Sequence, residues 1–150
     1  MIDWSVISSA TTALGAMFTG VGVMFGAYQI RLSKKQGIAE FEDRFDQQYR
    51  DLSMQLPVDV LIGKKPIEED CLRVRELIYN YCDLSNEQVY LRAKGKVTRV
   101  TWMSWSSGIK AHLERPAFQD VYEEIKSASG FTYLDRLINE DFKTDPNKWY

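Results

Sequence analysis

Basic side chains crowd one stretch of the chain. Between residues 92 and 115 stand Arg92, Lys94, Lys96, Arg99, Lys110 and Arg115 against Glu114 alone, whereas residues 36–91 carry twelve acids against six bases and residues 116–150 seven against four. Guanidinium and ammonium groups in a turn between two helices supply charge-assisted donors for phosphate oxygens. Trp102 and Trp105 follow closely and offer rings on which a base could stack. If a helix begins at Thr98, its free amide groups add to the attraction for an anion. Arg92, Lys94, Lys96, Arg99 and Lys110 are therefore the candidate ligand-binding residues. Arg99 and Lys110, eleven positions apart, share the exposed face of one helix. The plainer alternative is a solvated basic turn that balances acidic neighbours or touches anionic lipid. With a net charge of −2 and only six bases in the segment, long nucleic acid is excluded as a high-affinity partner of one protomer. A symmetric oligomer would multiply the patch around an axis and suit a compact polyanion.

Little else in the chain suggests chemistry. His112 is the single histidine, and no G-x-S-x-G, C-x-x-C, H-E-x-x-H or P-loop pattern is present, so an enzyme, a cofactor and a metal site are not expected. His112 lies three residues after Ile109, near an apolar stripe, and reads as a core or boundary histidine; a hydrolase would have to rest on it. Cys71 and Cys82 are eleven apart, on one face of a helix, where they cannot pair, and read as buried reduced thiols. The acids Glu68, Glu69 and Asp70 are accounted for by the dipole of a helix that starts there.

These residues need a frame, and the frame starts with an uncharged run of 26 residues, Ser5 to Ile30. About 20 apolar residues cross a bilayer, so residues 1–35 read as a single transmembrane anchor and 36–150 as a cytoplasmic helical domain for ligand binding and oligomerisation. A cleaved secretory signal would want a basic start, and no basic residue precedes Arg31. Arg31, Lys34 and Lys35 follow the run at once, which places the carboxyl side in the cytoplasm of an inner-membrane, single-pass protein. Only eleven of the 26 positions are large and apolar. Ser8, Thr12, Ala16 and Gly20 form a ridge of small residues, and Gly22 with Gly26 makes a GxxxG pair, so Thr12, Ala16, Gly20, Gly22 and Gly26 are the candidate packing residues of a homo-oligomer. A weakly hydrophobic monomeric anchor is the alternative.

Beyond Gly37 every segment keeps the helical period. Ile38, Phe41, Phe45, Tyr49, Leu52 and Leu56 line one face of a helix that Pro57 stops; Val58 to Ile62 is a short apolar run in a connector. A second helix runs from Ile67 to about Lys94, with an interruption at Asp83 to Asn86 and a C-terminal Gly95. Thr98 caps a third, whose buried stripe is Trp102, Trp105, Ile109 and Leu113. Pro116 opens a fourth that ends at Gly130, and a short fifth holds Leu134, Leu137 and Ile138 before a tail from Thr144 to Tyr150. No strand alternation is sustained, so the class is all-α, with about five helices in the domain.

The segments Leu84-Ser-Asn-Glu-Gln-Val-Tyr-Leu-Arg-Ala-Lys-Gly-Lys-Val, Trp102 to Trp105, Gly108-Ile109, Arg115-Pro-Ala-Phe118 and Glu123-Glu-Ile-Lys126 resemble a family of bacterial membrane-anchored helical proteins. The likeness covers about residues 40–145, and its motifs describe packing and a turn. In size, topology and charge the plan is also similar to the membrane effectors of type III CRISPR defence that sense cyclic tetra-adenylate. That resemblance implies an antiviral effector: a tetramer, a cyclic oligoadenylate on the basic surface, and an output at the lipid bilayer. The alternative from another class is a constitutive membrane-tethered adaptor that binds a protein partner.

Overall fold

A computed structural model describes the backbone of residues 4–150 and the side chains of residues 18–150. The described chain is helical and contains no strand: α1 (Trp4–Gln55), α2 (Val58–Leu61), α3 (Cys71–Ala93), α4 (Arg99–Leu113), α5 (Pro116–Ser129) and α6 (Thr132–Asn139). Short 3₁₀ turns stand at Glu68–Asp70 and Pro146–Lys148. By compactness the chain divides into Met1–Ala39 and Glu40–Tyr150, four residues beyond the boundary expected after residue 35.

In the first unit the helix runs through Gly37 without a break, because an exposed glycine interior to a helix weakens it but does not stop it. The side chains of Thr12 and Ala16 lie outside the described residues. Gly20, Gly22 and Gly26 are described, and a Cβ built on any of them would meet nothing within 4 Å. No helix among the described residues is long and apolar enough to cross a membrane.

In the second unit α3 is the central post, and α4, α5, α6 and the Pro146–Lys148 turn all pack on it. Its buried face is Val74, Leu77, Ile78, Tyr81, Cys82, Leu84 and Val89, which meets Phe118, Leu134 and Leu137 in one core. The helix ends follow the signals in the sequence. Gly95 adopts a left-handed φ of 67°, so the Lys96 amide reaches back to the Leu91 carbonyl at 2.9 Å and the Gly95 amide to Arg92 at 3.0 Å. The Thr98 hydroxyl accepts from the Thr101 amide at 3.3 Å, and Pro116 opens α5.

Several expectations need correction. Helix α3 passes through Asp83 to Asn86 uninterrupted, since Ser85 is buried and Asn86 turns its side-chain oxygen to the amides of Tyr133 and Leu134, both at 3.1 Å. Cys82 is buried, but Cys71 is exposed: it opens α3 before the helix meets its neighbours, and its thiol donates to the Ile67 carbonyl. The segment Thr144 to Tyr150 is no free tail. Asp145 pairs with Arg92, the Trp149 indole donates to Glu140 at 3.0 Å, and Tyr150 lies under the Lys94 ammonium at 4.4 Å.

Candidate ligand-binding site

The five basic residues expected to share a ligand do not converge. Arg92 is buried, and its guanidinium is spent inside the fold: Nε donates to Asp145 Oδ1 at 2.8 Å, Nη1 to the Val97 carbonyl at 2.8 Å, and Nη2 to the other Asp145 oxygen. The Arg92 guanidinium in turn holds the Asp145 carboxyl below its ordinary range. A residue that reads as a phosphate donor by sequence is thus the pin between the α3–α4 turn and the carboxyl-terminal segment. Lys110 stands at the far end of α4, about 16 Å of helical rise from Arg99, where its ammonium lies 3.6 Å from Asp141. Lys94 rests against the rings of Tyr90 and Tyr150. Lys96 and Arg99 are exposed, beside exposed Val100 and Met103. The free basic surface is therefore a small one, made of Lys94, Lys96 and Arg99 at the α3–α4 turn.

The amino end of α4 is occupied from within. Glu42, on α1, accepts from the Thr98 amide at 2.6 Å with one oxygen and from the Thr101 hydroxyl at 2.7 Å with the other. A carboxylate already supplies the negative charge that a helix start attracts, so the expected contribution of these amides to an external anion is withdrawn. One turn further on, Asp46 accepts from the Trp105 indole at 2.7 Å. Trp102 and Trp105 are both buried, with Trp105 against Phe45, and neither offers a free ring at the surface. By sequence alone Glu42 and Asp46 pass as solvated acids. Their spacing of four on the helix facing a helix start was the only clue.

Behind this α1–α4 seam, within the second unit, the side chains are unusually polar for a core. His112 is buried, stacked on Tyr81 with centroids 4.8 Å apart and edge-on to Tyr49 and Phe118. Its Nδ1 lies 2.8 Å from the Gly108 carbonyl, and burial lowers its pKa, so the ring is neutral and donates there at neutral pH. Burial likewise raises the Tyr81 phenol well above its usual value and pushes the Cys82 thiol up to about 12, which leaves both protonated. A cavity of about 200 Å³ opens between α1, α3 and α4 beside these groups. Among the described residues no three His, Cys, Asp or Glu side chains gather as a metal site.

Comparison with protein families, with curated proteins and with solved structures finds no match to this chain.

Proposed function

We propose that this chain is a membrane-tethered helical effector, a binding protein and not an enzyme, whose amino-terminal helix enters the bilayer and whose second unit binds an anionic nucleotide on the cytoplasmic side. The observation that carries the tether is the exposure of Phe18, Val21, Val23, Met24, Phe25, Tyr28 and Ile30, each more than 60 % accessible. Val21 and Ile30 fall on opposite sides of the helix at 100° per residue, so no single packed neighbour covers them. A helix apolar on all sides is stable when lipid or other copies of itself surround it. Gly20, Gly22 and Gly26, free of contacts, suit close approach of a second copy to make a homo-oligomer.

Coupling has a physical route. The same α1 that contains the uncharged run also contains Glu42, Phe45 and Asp46, which grip α4. A ligand at Lys94, Lys96 and Arg99 sits where the first turn of α4 is held by Glu42, so binding that favours one arrangement of that turn biases α1. Cyclic tetra-adenylate is the ligand that the sequence resemblance suggests, and a symmetric oligomer would set several copies of this three-residue surface around it. Calorimetry on the full chain in detergent, at low salt, is the test. Saturable heat with cyclic tetra-adenylate, lost in the Lys96→Glu/Arg99→Glu double variant, is expected. No heat with any cyclic oligoadenylate overturns the nucleotide.

A tethered adaptor has one specific observation in its favour. Leu72 and Tyr79 are exposed along the first half of α3 and line a groove with Arg75, Glu76 and Ile125, and Ile67 is exposed just ahead of the helix. That surface would dock a protein partner.

A further inference from the structure

The cavity between α1, α3 and α4 is lined by Asp46, Tyr49, Tyr81, Gln88, Trp105 and Gly108 among others. Gln88 is 5 % exposed and makes no hydrogen bond to any described residue. Its carboxamide atoms are not sealed off from the cavity, so their donor and acceptor stay open to whatever occupies it. Gln88 is one of the cavity's lining residues.

We propose that this cavity binds a neutral planar heterocycle carrying an amino group beside a ring acceptor, the chemistry of adenine. A carboxamide presents one donor and one acceptor side by side, and that pair matches an amino group next to a ring nitrogen. Asp46 is the single formally charged side chain on the wall. One of its oxygens takes the Trp105 indole, and the other remains to accept from an amino group. A lone carboxylate also repels phosphate, so the base enters and any phosphate stays outside. Tyr49, Tyr81 and Trp105 add aromatic carbon to the lining, while Tyr81 also stacks on His112 and Trp105 packs against Phe45. A volume of about 200 Å³ admits a fused ring and not a whole nucleotide. The proposal is independent of the nucleotide effector proposed above, because a free base or a base within a larger ligand meets the same wall.

Gly108 provides a clean test. It lies inside α4, lines the cavity, and a Cβ built on it meets nothing within 4 Å. Gly108→Leu therefore fills the cavity while replacing a poor helix former by a good one, and the helix is kept. Binding of adenine to the full chain in detergent is measured by equilibrium dialysis, with hypoxanthine, which carries a carbonyl in place of the amino group, as the control. Thermal unfolding is followed in parallel. Adenine is expected to saturate and to bind at least ten-fold tighter than hypoxanthine. Gly108→Leu and Gln88→Leu each lower its affinity at least ten-fold, with the Gly108→Leu unfolding midpoint no lower than that of the parent. If Gln88→Leu does not fold, Asp46→Asn, which retains an oxygen for the Trp105 indole, supplies the same readout. No saturation, equal binding of the two bases, or unchanged affinity in Gly108→Leu overturns the proposal and leaves a cavity that holds only water.

Discussion

Arginine 92 shows how far burial changes the meaning of a charge. On the surface it would be one of several phosphate donors; at 8 % side-chain exposure, forked onto Asp145, it holds the last residues of the chain against α3. Removing one member of a buried pair strands the other, which is why Asp145→Ala is expected to cost about 3 kcal/mol in denaturant unfolding. The same substitution should open the Pro146–Lys148 turn to proteolysis. His112 contributes to the pH dependence of the second unit just below neutrality. Its folded pKa is depressed below 6.5 by burial, so its contribution is present above that value, where both folded and unfolded forms are neutral. As pH falls below about 6.5 the unfolded chain takes up a proton that the folded ring refuses, and stability declines until the lowered folded pKa is reached. Unfolding midpoints measured from pH 7.5 downwards should fall across that window, and His112→Phe should flatten the decline.

Among the elements, the α1–α4 seam depends most on a few polar contacts. Glu42 satisfies an orphan amide of α4 and the Thr101 hydroxyl together, while Thr98 caps the helix from its own side. Glu42→Ala should lower stability by about 1–2 kcal/mol, the worth of charge-assisted hydrogen bonds at a helix start. Glu42→Gln, with a single acceptor oxygen, should lose about half of that in the same denaturant titration. If α4 unfolds no more readily in either variant, as read by protection of the Thr101 and Trp102 amides from exchange, the seam does not depend on this carboxylate.

At the scale of the whole molecule, the two units face opposite solvent problems. Residues 40–150 bury a core of their own around α3, whereas the described residues of the first unit leave eight large apolar side chains exposed. A charge in the middle of a spanning helix costs about 2.5–3.5 kcal/mol on insertion scales, so Val23→Lys is expected to shift the chain from the carbonate-resistant membrane fraction towards the soluble or aggregated one. A control at Gln36, beyond the basic flank, should not move it. Equal partition of both variants would remove the tether from the proposed function.

The sequence alone determined the helical class, the helix ends at Pro57, Gly95, Thr98, Pro116 and Gly130, and most of the apolar stripes. These are local properties, set by φ preference, missing amides and the 3.6-residue period, and a short window of residues contains them. The continuity of α3 through Asp83 to Asn86, the docking of Thr144 to Tyr150 and the exposure of Cys71 were decided only in three dimensions. So was the dispersal of the basic residues. Arg92 meets Asp145 across 53 positions of chain, and Glu42 meets Thr98 across 56. Charge read along the chain sums what lies nearby in sequence, but a side chain's partner is fixed by which helices pack, and a carboxylate from a distant element can claim a donor before any ligand does.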